Sequence, residues 1–249
     1  MLSNSKRPVV AIIQARMGSE RLPGKILLDI EGQTMLERVV RRVQKATSID
    51  KVVVATTTEA SDDETAVVAG ALGVHVTRGN EDDVLDRFRQ AADETGAKTI
   101  VRVSADSPFV DPEVTNMVVD AFLASDTDYA SNKLDPSFPL GLDVEAFSRE
   151  ALERVWKEAE KSYERSHVTF RIYSEPSAFK LLPVTTTPNR HDMRWTVDTE
   201  EDLRFAREIF SRLGGSNDFS WRAVVELIEK MPELAAINSH LRPKDVTAG

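Results

Sequence analysis

Short β-branched runs alternate with amphipathic helical patterns through the first half of the chain, and this alternation limits the fold more than any other feature. Residues 9–13 (VVAII) read as a buried strand. Residues 33–45 follow as a helix, with Met35, Leu36, Val39, Val40 and Val43 on one face. The pattern predicts a second strand at 51–56 and a second helix at 62–72, stopped by Gly73. A short strand at 74–77 precedes a helix at 82–94 that ends at Gly96. A strand at 98–104 precedes a helix at 111–124, with Pro112 in its first turn. Such alternation gives a mostly parallel sheet with helices on both faces.

The pattern then loosens. Residues 129–142 are rich in Asn, Pro, Ser and aromatics and read as a loop or short strand. Helical patterns follow at 148–159 and 162–173, and short strands at 179–184 and 193–197. Residues 199–213 form a strong helical pattern capped by Thr199, and 221–230 a last one. No internal repeat or low-complexity linker divides the chain. It reads as one domain over residues 1–249, with 130–190 as an excursion from the sheet.

Composition removes several function classes. The 249 residues contain no cysteine, so a disulfide framework, a thiolate nucleophile and a cysteine-held zinc or iron–sulfur centre are excluded. The formal net charge of −9 argues against bulk binding to nucleic acid or an anionic membrane. No apolar run approaches the roughly 20 residues of a membrane span, and the start carries no secretory pattern, so a cytoplasmic protein is expected. The four histidines have no close metal spacing.

The first strand runs into Ala15-Arg16-Met17-Gly18-Ser19-Glu20-Arg21-Leu22-Pro23-Gly24-Lys25. Ligands of open α/β sheets bind at the carboxyl ends of strands. Glycines there let backbone N–H groups approach phosphate oxygens, and Arg and Lys neutralise them. The alternative is a solvated basic connection. The spacing is neither a Walker loop nor a dinucleotide fingerprint. The strand at 98–104 runs into Ala105-Asp106-Ser107-Pro108, where Asp106 is either a Mg²⁺ ligand beside a phosphate or a turn cap. Asp198, after 194–197, is either a second ligand or part of a capping arrangement with Thr199 and Asp202. Asp143 and Glu145 share a face if their segment is a strand, and Glu164, Arg165 and His167 gather charge on a helix; surface charge explains both equally well.

In order along residues 8–212, the motifs ARMGSxRLPGKxL, MLERV, VVATT, EDDVLDR, DSPxxDPE, FPxGLDVE, ERxHVT and RWTVDTxEDL resemble the spore-coat polysaccharide biosynthesis protein F family. Its members are cytidylyltransferase-like relatives of the CMP-Kdo and CMP-sialic acid synthetases. The resemblance implies a nucleotide-diphosphosugar-transferase (glycosyltransferase-A-like) α/β fold. It also implies transfer of CMP from CTP to a small acidic acceptor, with release of pyrophosphate. Arg16, Arg21 and Lys25 are then catalytic, and Asp106 and Asp198 hold Mg²⁺. Ala15, Met17, Gly18 and Ser19 join them around the nucleotide, with Asp82 and Arg87 from a loop at 79–87. Asn132, Asp143, Glu145, Arg165 and His167 face the acceptor. The Kdo enzymes carry glycine where this chain has Ala105, and their acceptor motifs are absent. The resemblance identifies no general base; metal-lowered acidity of the acceptor, Asp143 and Glu145 are the alternatives. Aromatics in the 130–190 region suggest a lid or a homodimer interface. The competing readings are a glycosyltransferase that uses a nucleotide sugar and a non-catalytic nucleotide-binding protein.

Overall fold

The computed structural model describes residues 5–242. The first half obeys the alternation. Strands β1 (Val9–Gln14), β4 (Lys51–Thr57), β5 (His75–Gly79) and β6 (Thr99–Ser104) are mutually parallel. Helices α1 (Met35–Val43), α2 (Asp63–Ala71), α3 (Val84–Thr95) and α4 (Pro112–Ala124) lie between or after them. A short hairpin, β2 (Asp29–Ile30) with β3 (Gln33–Thr34), precedes α1. It takes the residues expected to open that helix, and Thr34 becomes the cap by accepting from the Glu37 N–H. Likewise Asp83, not residue 82, caps α3.

The second half contributes β7 (Tyr129–Ser131), β8 (Glu145–Ser148), α5 (Arg149–Glu158), α6 (Ser162–Ser166), α7 (Phe170–Ser174), β9 (Leu181–Pro183), α8 (Glu200–Arg212) and α9 (Trp221–Lys230). The main sheet has the order β5-β4-β1-β6-β8-β7-β9. Strand β8 runs antiparallel to both β6 and β7, while β9 is parallel to β7. The 130–190 region therefore does not leave the sheet. Its strands extend the sheet beyond β6, because Glu145–Ser148 pair with the open edge of that strand.

Two expected elements are corrected. The pattern at 162–173 is two short helices, broken where His167 leaves helical geometry and Thr169 turns inward to donate to buried Glu145. Residues 193–197 are not a strand. Only Arg194 pairs, in a single parallel bridge with Leu140, and the Val197 N–H turns to the Asp106 carbonyl instead.

Alternation along β1 splits the core. Val9, Ala11 and Ile13 face α1, α4, α8 and α9; Val10 and Ile12 face α3 and α5. Within the first layer Phe109 packs against Trp195 at 5.8 Å and Phe210 at 5.2 Å between centroids. Phe109 is three residues after Asp106 and Trp195 three before Asp198, so one aromatic contact anchors both acidic turns. No helix among the described residues is long and apolar enough to cross a membrane.

Gly141 is where the 140–142 segment meets 194–196. It has φ +107°, and a Cβ there would lie 2.5 Å from the Thr196 nitrogen and 2.7 Å from the Trp195 carbonyl carbon. Both neighbours are backbone, so neither yields cheaply. We expect Gly141→Ala to cost at least about 2 kcal/mol, which is roughly 4–8 °C in Tm for a chain of this size. Thermal melts check it. An unchanged Tm would contradict the packing described.

Candidate active site

At the end of β1 the chain keeps one more sheet bond, from the Ala15 N–H to the Ala55 carbonyl, then turns away. The Met17 carbonyl accepts from Ser19 and Gly24, which folds the loop back on itself, and Gly24 adopts the left-handed φ of 68°. Buried Asp62, at the start of α2, accepts from the Met17 N–H at 2.8 Å and from the Thr57 hydroxyl. The basic loop is thereby tied to the end of β4.

Gly24 delivers Lys25 into a short 3-10 turn whose side chain crosses to the end of β6. Lys25 Nζ donates to Asp106 Oδ2 at 2.8 Å, Asp198 Oδ1 at 2.9 Å and the Val197 carbonyl at 2.8 Å. Two carboxylates 92 positions apart in sequence thus meet at one nitrogen. Asp198 Oδ2 pairs with Arg21 at 3.1 Å and accepts from Arg194 at 2.9 Å. Arg194 is fixed in turn by two 2.9 Å bonds to the carboxylate of buried Asp202. Burial disfavours the Asp198 charge, but Lys25, Arg21 and Arg194 outweigh it and hold its pKa below the ordinary value. Asp202 also caps α8 with Thr199. Of the two roles open to Asp198, the cap falls to Asp202 and the Asp198 carboxylate faces the cations.

Of the nucleotide-side residues, Arg21, Lys25, Asp106 and Asp198 converge. Arg16 is exposed and, among the described residues, reaches Glu81 alone, at 3.4 Å. Gly18 lies beneath that same Glu81, whose Oε1 would be 2.7 Å from a Cβ. Met17 and Ser19 line the loop, and Ala15 is buried under it. Asp82 is exposed. Arg87 is fully buried and donates to the Asn80 and Glu81 carbonyls, so it supports the 79–83 loop from inside.

Beside Asp106 a cavity of about 180 Å³ is lined by Arg102, Ser107, Lys133, Asp143, Glu145 and Thr196, among others. A larger hollow, about 350 Å³, lies at the opposite strand ends near Lys51 and His75, away from this chemistry. The expected acceptor residues separate on inspection. Asn132 serves as a clamp: its amide donates to the Leu142 carbonyl at 2.8 Å and accepts from the Val144 N–H at 2.9 Å. Glu145 is likewise spent, on Arg102 at 2.6 Å, the Tyr129 hydroxyl at 2.9 Å and the Thr169 hydroxyl. Arg165 stands against Asp83 and Trp156, and neither it nor His167 lines the cavity. Burial, with Arg102 and Lys133 nearby, lowers the His167 pKa. Asp143 remains in the cavity, its pKa raised by burial first and then by Glu145 and Asp106 against the pull of Lys133. Sequence reasoning missed Lys133 and Arg102, because only the β6–β8–β7 pairing brings them together.

The arrangement is a basic glycine loop, a carboxylate just past the end of β6, a second in the turn before α8, and a polar cavity beside them. The cytidylyltransferase family model matches residues 10–237. The chain belongs to the cytidylyltransferase family. It is 36% identical over 238 residues to an uncharacterized protein of Methanocaldococcus jannaschii, covering 95% of this chain and 96% of that one. It is 30% identical to the spore coat polysaccharide biosynthesis protein SpsF of Bacillus subtilis, covering 91% and 96%. The solved structure of a cytidylyltransferase from Leptospira borgpetersenii superposes with a TM-score of 0.89 at 31% identity, covering 95% of this chain and 99% of that one. A CMP:2-keto-3-deoxy-manno-octonic acid synthetase complexed with CTP shares the fold, with a TM-score of 0.62 at 18% identity and coverage of 83% and 100%. The nucleotidyltransferase fold expected from the sequence is the one observed.

The Glu145 cluster is the costliest element of this cytidylyltransferase site. Burial disfavours its charge, but Arg102, Lys133 and the Thr169 and Tyr129 hydroxyls outweigh that and lower its pKa from 4.5 to about 2. Glu145→Gln removes the charge and leaves Arg102 without its carboxylate partner, at an expected cost of about 3–5 kcal/mol. A depressed carboxylate stabilises above its unfolded pKa and stops doing so as pH falls through its folded one. The wild-type advantage over Glu145→Gln should therefore be complete above about pH 5 and shrink towards about pH 2. Denaturant melts across that range check it.

Proposed function

We propose that this cytidylyltransferase moves CMP from CTP to a small sugar acid or related acid seated in the cavity beside Asp106. The observation that carries this reading is the convergence of Asp106 and Asp198 on the cationic loop, with that cavity adjoining. Arg16 and Arg21 donate to the triphosphate. The acceptor hydroxyl attacks the α-phosphorus in line. One P–O bond forms, the bond to the β-phosphate breaks, and pyrophosphate leaves. Asp143 takes the hydroxyl proton, because Glu145 is already engaged by Arg102, Tyr129 and Thr169. Lys133 faces the acceptor's acid group. Its nearest carboxylate oxygens are 3.6 Å and 3.9 Å away, which leaves its donors available.

Among the described residues no group of three or more Asp, Glu, His or Cys side chains is placed to hold a metal. The pair Asp106 and Asp198 nonetheless fits Mg²⁺, which takes one or two carboxylates and fills its shell with phosphate and water. A cation, the Lys25 ammonium, already lies between these two carboxylates. Bound there, Mg²⁺ supplies charge neutralisation at the phosphates. We also infer that the protein is cytoplasmic and a homodimer, the dimer supported by the partly exposed, edge-to-face Tyr163–Phe170–Tyr173 cluster; light scattering should give twice the chain mass.

Pyrophosphate release is the test, with CTP, UTP, ATP or GTP, Mg²⁺ and a panel of sugar acids, and mass spectrometry of the products. CTP should turn over fastest and yield a CMP-acid. Faster turnover with another nucleotide would refute the reading. Lys133→Met should raise the acceptor KM by roughly 10- to 150-fold, the range of a charged hydrogen bond, and leave the CTP KM nearly unchanged.

A further inference from the structure

Lys25 Nζ has three protons and three partners: Asp106 Oδ2, Asp198 Oδ1 and the Val197 carbonyl, all within 2.9 Å. A lysine ammonium has no fourth donor. In this position it has nothing left to give a phosphate. It also stands where a divalent ion would have to stand to reach both carboxylates, and two cations cannot share one seat between the same oxygens.

We propose that the Asp106–Asp198 seat holds one cation at a time: Lys25 occupies it until CTP and its divalent ion arrive, then yields the seat and turns to the phosphates. The inference rests on reading Asp106 and Asp198 as the metal pair. The surrounding bonds suit an exchange. Asp198 keeps Arg21 and Arg194 on its other oxygen, so its carboxylate stays oriented when Lys25 leaves. Arg194 is pinned by Asp202 and cannot follow. Lys25 carries its charge on a flexible four-carbon stem with rotatable donors. A lysine is an ammonium at neutral pH, so Lys25 is a cation while seated. The device keeps two neighbouring carboxylates neutralised at every stage, and it makes a divalent ion that comes alone compete with a tethered one.

The test measures Mn²⁺ binding by electron paramagnetic resonance, with Mn²⁺ alone as the probe and no nucleotide. Lys25→Met keeps most of the stem and removes the charge. It should bind Mn²⁺ at least about tenfold more tightly than wild type, a gain that misfolding cannot produce. Adding Asp106→Asn to Lys25→Met should abolish the gain. If Lys25→Met binds Mn²⁺ no more tightly than wild type, the exchange is overturned. The metal-pair reading has its own control: Asp106→Asn alone should weaken Mn²⁺ binding in the presence of CTP. If that control behaves as expected and Lys25→Met shows no gain, the exchange alone fails. If Asp106→Asn leaves Mn²⁺ binding with CTP intact, or the gain survives in the double variant, the metal pair itself is wrong.

Discussion

A single ammonium clasped by two carboxylates from opposite halves of the chain organises this molecule. Lys25 comes from the loop after β1, Asp106 from the end of β6 and Asp198 from the turn before α8. Each partner's position is secured separately. Phe109 and Trp195 pack against each other just beyond the two aspartates, and the Val197 N–H bonds to the Asp106 carbonyl. Two like charges brought this close would repel, and one would take up a proton. The cation resolves that conflict, so backbone packing that would otherwise be unfavourable becomes a built site.

Much of this is legible in the sequence because it depends on local pattern. β-branched runs and amphipathic helices fix β1, β4, β5 and β6 with their covering helices, and parallel strands place their carboxyl ends at one edge. The loop at 15–25 and Asp106 stand out because each lies just past a strand's carboxyl end. Asp198 stands out because it sits between an expected short strand at 193–197 and a capped helix. Their convergence is a consequence of topology, with no contact visible in advance. Of the loop's glycines, Gly24 takes a left-handed φ of 68° and Gly18 lies against the Glu81 side chain.

The rest is hidden because it depends on long-range pairing. Nothing local in residues 138–148 says that Glu145–Ser148 will run antiparallel to β6. Once they do, Glu145 is driven inward onto Arg102, and Asn132 is consumed in fixing 142–144. Both resemble substrate-facing polar residues in the sequence, which shows residue type and not which partner a side chain has already taken. Arg38 and Arg42 make the same point. On the helical wheel they sit beside an apolar face, yet both are fully buried, donating to carbonyls of Ile30, Gly215, Val110 and Phe219. The cap at α8 is split in a similar way: Asp202 takes the helix end and frees Asp198.

Charge distribution explains how an acidic chain can handle an acidic substrate. The net charge of −9 would repel a nucleoside triphosphate at long range, but salt screens exposed charges beyond about 8–10 Å. Inside that distance the proposed site would present Arg16, Arg21 and Lys25 to the triphosphate, with Arg194 behind them. These cations are not uniformly available. Arg194 is bound to Asp202 and Lys25 to Asp106 and Asp198, while Arg16, among the described residues, makes the 3.4 Å contact to Glu81 alone. On the proposed reading Arg16, the least engaged and most exposed of these, would meet phosphate first. Engagement deepens from Arg16 to Lys25, so the cations deepest in the proposed site are also those most constrained in direction. Such ordering favours a bound geometry over mere attraction: a polyanion that reaches only Arg16 gains little, and one that reaches Lys25 must offer oxygens good enough to replace two carboxylates.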